Sequence, residues 1–278
     1  MTRTTVAEMR AVHAAGGHFA VVTAWDRPTA EFAEAAGIHF ILVGDSLAQV
    51  ALGHESTVRV GMDEMLHHTA AVVRSTSTAL VIGDMPFLSY VDVTTAGENA
   101  GRFIREAGAG AVKLEGGLRV APVVAALVRS GVPVIGHIGF TPQSSLNESK
   151  PRAKGRLAAA AAALLDDALA LQEAGASAIV IELVPQELAA AITERLTIPT
   201  IGIGAGPGCT AQVQVLPDLL GLLGAAPRHA GRIAHLRDEA ITSLAAWRTS
   251  VESGAFPTAA NSITGDATLI AALEELPR

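Results

Sequence analysis

The sequence has one cysteine, few aromatic residues and no long stretch of positive charge, and each shortage excludes something. A lone Cys209 among 278 residues allows no intrachain disulfide, which suits a reducing compartment. It lies in a Gly/Pro-rich stretch with no base beside it and reads as a bystander thiol. The formal charge is −7 and Lys and Arg gather into no basic stripe, so a nucleic-acid partner is not expected. No secretory pattern opens the chain, and Gly, Asp or Glu interrupts every apolar stretch short of a membrane span. The expectation is a soluble, cytoplasmic protein. Aromatics make up 4% of the residues while half of all residues are hydrophobic, and the mean hydropathy is +0.38. Ala, Val, Ile, Leu and Gly must therefore do the packing, as they do in parallel strands buried on both faces.

What is present alternates. Short apolar, β-prone runs fall at 18–23, 39–44, 79–83, 110–114, 133–137, 178–182, 199–203 and 218–223. Helix-patterned stretches separate them at 28–36, 61–74, 95–107, 119–130, 157–174 and 186–196. Gly37, Gly108, Gly131 and Gly175 stand where helices end before the next strand, the usual C-terminal cap signal. Eight strand–helix repeats predict a parallel sheet closed into a (β/α)8 TIM barrel. An open dinucleotide-binding sheet would need a glycine-rich turn after its first strand; this chain has Thr23-Ala24-Trp25-Asp26 there. The expected organisation is a single barrel over 1–262, with a closing helix at 230–252 and a tail at 263–278.

Polar residues end five successive strands: Asp45, Asp84, Glu115, His137 and Glu182. Such ends ring the active-site mouth of a barrel. Any one of them could be a helix cap, but four carboxylates and a histidine at equivalent positions are hard to explain as caps. Asp45 and Asp84 are candidate oxygen ligands for one hard cation, Mg2+ rather than Zn2+, with Glu115 completing the site directly or through water. Lys113 shares a strand face with Glu115. It could hold a substrate carboxylate, pair with Glu115 or form a Schiff base. Glu182 closes an apolar run, and apolar surroundings suit a carboxylate to general-base work near neutrality. His137 is open between acid/base, substrate donor and core histidine. Cation, base and lysine together suggest enolate chemistry on a small keto acid. His67-His68 point apart on a helix and make no paired metal site. Gly202-Ile203-Gly204-Ala205-Gly206 reads equally as a phosphate-type loop or as tight packing.

Nine collinear segments carry a family resemblance. They are Val43-Gly44-Asp45-Ser46-Leu47, Gly53-His54-Glu55-Ser56-Thr57, His68-Thr69-Ala70-Ala71-Val72, Gly83-Asp84-Met85-Pro86-Phe87 and Val112-Lys113-Leu114-Glu115-Gly116-Gly117, followed by Gly136-His137-Ile138-Gly139, Thr141-Pro142-Gln143-Ser144, Glu182-Leu183-Val184-Pro185 and the 202–206 loop. With these the chain resembles the ketopantoate hydroxymethyltransferase family over about 18–260. The resemblance implies a barrel of the phosphoenolpyruvate/pyruvate-binding type, assembled as a homo-oligomer, usually a decamer. It implies Mg2+ on Asp45 and Asp84 with Glu115 close by, a keto-acid carboxylate on Ser46 and Lys113, and Glu182 as base. It also implies 5,10-methylenetetrahydrofolate as one-carbon donor, 3-methyl-2-oxobutanoate as acceptor and a product leading to pantothenate. Departures from the family pattern fall at Trp25, at Ala48-Gln49, over 146–156 and at Pro227-Arg228-His229. They leave open a different keto acid, or a Mg2+-dependent C–C lyase reaction on the same barrel.

Overall fold

Alternation of inward and outward side chains closes eight parallel strands on themselves in the computed structural model, which describes residues 2–147 and 151–277. The strands are β1 (Phe19–Thr23), β2 (Phe40–Val43), β3 (Leu80–Asp84), β4 (Ala111–Glu115), β5 (Val134–Gly139), β6 (Ala178–Glu182), β7 (Thr200–Ile203) and β8 (Ala211–Gln214). Each pairs with its sequence neighbour, and β1 pairs with β8 from Phe19↔Ala211 to Val22↔Gln214. Seven strands lie where the apolar runs predicted them. Gly37, Gly108, Gly131 and Gly175 all take positive φ after their helices.

The eighth strand is a correction. It is Ala211–Gln214, whereas 218–223 begins inside a short helix, Leu216–Leu220. Pro217 sits in that helix's first turn and Gly221 ends it at φ 65°, the Pro-first, Gly-last signature. Alternating Gln residues disguised the true strand, which buries only Ala211 and Val213.

Residues two apart on each strand fill the lumen. Leu80 and Ile82, Phe40 and Leu42, Ala178 and Val180, Ala111 and Ile135 pack there together. Met9 joins them from an unanticipated N-terminal helix, Val6–Ala14, as a fully buried plug. The opposite strand faces pack on the helices, where Ile41, Val81, Val112 and Ile179 meet Phe103, Val124 and Leu171.

Glu34 in the helix Arg27–Ala35 ties that layer to the start of β3. Its carboxylate accepts the N–H groups of Ser77, Thr78 and Ala79 at 2.9, 2.7 and 2.9 Å. Partial burial works against the charge, but these bonds outweigh it and hold the carboxyl at about 2.

The anticipated closing helix does not close. Leu236–Glu252 has no buried residue, and Ile241, Leu244, Trp247 and Val251 are exposed along it. A second helix, Ala267–Glu274, occupies the expected tail and is likewise unburied. The accessible surface is 14586 Å², against ~11,200 Å² for a compact monomer of this mass. Among the described residues no helix is long and apolar enough to cross a membrane.

Candidate active site

The inward rows that are apolar low in the barrel turn polar at its C-terminal rim. Leu80 and Ile82 lead to Asp84, Ala111 to Lys113 and Glu115, Ile135 to His137, and Ala178 and Val180 to Glu182. Register then decides the contacts. Asp84 is the cross-strand partner of Lys113, and Glu115 of His137. Lys113 Nζ accordingly lies 2.8 Å from Asp84 Oδ1, so its buried charge is paired with Asp84 rather than with Glu115. Burial disfavours that charge, but Asp84, Glu115 and Asp45 outweigh it and raise the lysine above its ordinary range.

Asp84 is buried and its carboxyl is raised to about 7, chiefly by burial, against the pull of Lys113 and with the help of Asp45's charge. Its Oδ2 accepts the backbone N–H of Asp45 at 2.9 Å. Neither aspartate is a helix cap. The helix Leu47–Val50 begins at Ser46 without a side-chain cap bond, and Asp45 Oδ2 instead accepts from Gln143 Nε2 at 2.9 Å.

Gln143 is the site residue that sequence reasoning passed over, although it lies within the quoted Thr-Pro-Gln-Ser segment. Its amide also donates to Met85 O at 3.1 Å, and its Oε1 accepts from Tyr90 OH at 2.5 Å. Its backbone N–H donates to Glu115 Oε2 at 3.0 Å. One buried neutral residue thus fixes two carboxylates, and Tyr90 settles which way its amide faces.

His137 bridges the other pair. Nδ1 is 3.5 Å from Glu115 Oε1 and Nε2 is 3.2 Å from Glu182 Oε2. Burial and the neighbouring Lys113 oppose a charged ring, yet the carboxylates of Glu115 and Glu182 beside it prevail and hold it protonated up to about 9. Glu115 is fully buried behind this histidine, whereas the Glu182 side chain keeps 18% of its surface open. Glu182 lines a cavity of about 350 Å³ with Asp45, Ser46, Asp84, Lys113 and His137.

The donors fit a hard cation. Asp45 and Asp84 offer carboxylate oxygens, and no thiolate is near. Four carboxylates (Asp45, Asp84, Glu115 and Glu182) face one lysine and one histidine, an excess that a divalent ion offsets. Asp84 Oδ1 and Glu115 Oε1 are buried without a well-formed hydrogen bond. Among the described residues no three Asp, Glu, His or Cys side chains gather into a ready-made cage. Such an ion would therefore depend on Asp45 and Asp84 with water or substrate.

The remaining motifs resolve as packing. Gly204 and Gly206 take φ +62° and +78°, and a side chain at either would strike Leu183 or Gln186. His68 Nδ1 meets Trp25 O at 2.8 Å. Cys209 is buried, and burial pushes its thiol up. Of the sequence departures, Gln49, Pro151, Pro227 and His229 line the cavity, and Trp25 Nε1 donates to Gly44 O at 2.9 Å beneath it. Glu148, Ser149 and Lys150 lie outside the described residues.

Comparison with known proteins bears on the fold and the family. Among solved structures, the fold is shared with a phosphoenolpyruvate phosphomutase from Streptomyces platensis subsp. rosaceus (TM-score 0.62, 16% identity, covering 98% of this chain and 95% of that one). It is also shared with 2,3-dimethylmalate lyase of the PEP mutase/isocitrate lyase superfamily (TM-score 0.59, 16% identity, 90% and 89%). Among curated sequences, 3-methyl-2-oxobutanoate hydroxymethyltransferase of Chloroflexus aurantiacus is 56% identical, over 92% of this chain and 91% of its own. That of Chloroflexus aggregans is 54% identical, over 97% of each. The sequence model of ketopantoate hydroxymethyltransferase matches residues 3–259, and with relatives this similar over nearly their whole length the chain belongs to that family of transferases.

Proposed function

We propose that the protein transfers a hydroxymethyl group from 5,10-methylenetetrahydrofolate to C3 of 3-methyl-2-oxobutanoate, through an enolate, giving 2-dehydropantoate for pantothenate synthesis. The observation that carries this reading is the one cavity lined by Asp45, Asp84, Lys113, His137 and Glu182 in a chain of this family. Asp45 and Asp84 would hold Mg2+, with Glu115 behind them. When bound, such an ion polarises the keto group and stabilises negative charge on its oxygen. Lys113 and Ser46 take the substrate carboxylate. Glu182 removes the C3 proton, and His137, 3.2 Å from its Oε2, holds the carboxylate in place. Water adds to the donor's methylene carbon and its two C–N bonds break, releasing tetrahydrofolate and a one-carbon unit at the oxidation level of formaldehyde. C3 of the enolate then bonds to that carbon, and its oxygen takes up a proton to become the hydroxyl. We take the enzyme to work in the cytoplasm as a homo-oligomer, with no nucleic-acid or membrane partner.

Gln49, Pro227 and His229, which depart from the family pattern, face the cavity and favour a second reading, the same transfer to another branched keto acid. The test is turnover with and without Mg2+, followed by mass spectrometry across a panel of keto acids. Preferred conversion of 3-methyl-2-oxobutanoate supports the first reading. Turnover of a different acid alone would replace it with the second.

A further inference from the structure

The cavity has a second wall, to which Asp45, Asp84, Lys113 and Glu182 do not belong. It is built by the chain after β8: Gln214, Val215, Asp218, Pro227, His229 and Ala230 all line it. Two bonds hold this wall in shape. Leu216 N–H donates to Thr23 Oγ1 at 3.1 Å, pinning the helix Leu216–Leu220 to the end of β1. Gly231 N–H donates to Gln214 Oε1 at 3.3 Å, tying down the returning segment.

Asp218 is only 6% exposed, yet it faces the cavity. Among the described residues its carboxylate makes no hydrogen bond or ion pair; only its backbone groups are engaged. Burial raises its proton affinity, while the positive charges of His229 and Arg232 favour the anion. Its oxygens open onto the cavity, where a ligand that brings two parallel N–H groups would pair with both at once. A keto acid has no N–H to give. The aminopyrimidinone ring of a folate offers a ring N–H beside an exocyclic amine.

We propose that Asp218 anchors the pterin of the one-carbon donor, its two oxygens accepting the ring N3–H and the 2-amino N–H. The donor then enters along the β8 side, with its methylene carbon toward the keto acid held at Asp45, Asp84 and Lys113. This inference rests on the folate reading above.

The test is calorimetric titration of the intact protein, with Mg2+ and 3-methyl-2-oxobutanoate present, against tetrahydrofolate and its 2-desamino-2-methyl analogue. Wild-type protein should bind the analogue about 10- to 100-fold more weakly. Asp218→Asn should lose a similar factor for tetrahydrofolate and discriminate little between the two ligands. The analogue arm needs no variant, so a folding defect in Asp218→Asn does not decide the outcome. Equal wild-type affinity for both ligands, or full discrimination in the variant, would overturn the anchor and leave the donor reading standing. Guanosine monophosphate carries the same edge and serves as the second probe. Binding of the nucleotide without tetrahydrofolate would overturn the anchor and the donor reading together.

Discussion

Glu182 differs from the other carboxylates of the mouth in keeping part of its surface open to the cavity, while Asp45, Asp84 and Glu115 are buried. That accessibility suits a group that must collect a proton and return it. Glu182→Gln should bind keto acid yet exchange its C3 proton with D2O about 100- to 10,000-fold more slowly, as followed by NMR; wild-type exchange would remove it as the base. Gln143 acts one step back. Gln143→Leu frees Asp45 Oδ2 and leaves Tyr90 OH without its acceptor, so Mg2+ affinity measured by calorimetry should fall together with kcat. A normal Mg2+ isotherm would limit the glutamine to a packing role. Asp84, Lys113, Glu115, His137 and Glu182 were readable in advance because each strand alternates, so a polar residue two places beyond an inward residue also faces inward. Asp45 escapes that rule, since it stands in the turn after β2, two places beyond the helix-facing Val43. Gln143 was not: it is neutral, lies in a short 3-10 turn after β5, and matters only through bonds to Asp45, Met85 and Tyr90. Asp218 was missed for a different reason, having been read as part of a strand.

Among the elements, the Glu34 clasp is the clearest local stabiliser. Its carboxyl, held at about 2 in the folded protein against 4.5 ordinarily, contributes stability that is fully present above about pH 5. The contribution is lost as the pH falls toward 2. Water screens a partly exposed group, so Glu34→Gln should cost about 1–2 kcal/mol at pH 7. Denaturant titrations should show the gap closing near pH 2; a gap independent of pH would mean that the charge is not what matters. Seven strands and six helices were legible because their apolar periods match their structure, as in Leu80-Val81-Ile82. The Val6–Ala14 helix shows why others were not: it buries a single residue, Met9, so it carries no apolar stripe for periodicity to find.

At the scale of the whole molecule, the surface exceeds that of a compact monomer by roughly 3,400 Å², an area in the range that obligate assemblies bury. Ile241, Leu244, Trp247 and Val251 recur at three- and four-residue steps on a helix that buries none of its residues. On the homo-oligomer proposed above, a second copy of the chain would cover this face. Light scattering should give a wild-type mass well above 28.4 kDa, and Leu244→Asp combined with Trp247→Asp should lower it. An unchanged assembly would move the interface elsewhere.

The pairing of Phe19 with Ala211 also bears on how the protein is made. β1 leaves the ribosome well before β8, so its second edge has no partner until residue 214 has followed. At ordinary elongation rates that is an interval of ~10–40 s. Throughout it, Phe-Ala-Val-Val-Thr offers bare backbone groups and apolar side chains to any neighbouring nascent chain. The yield of active enzyme in a cell will therefore follow chaperone supply and translation speed, even for variants whose finished chemistry is unimpaired.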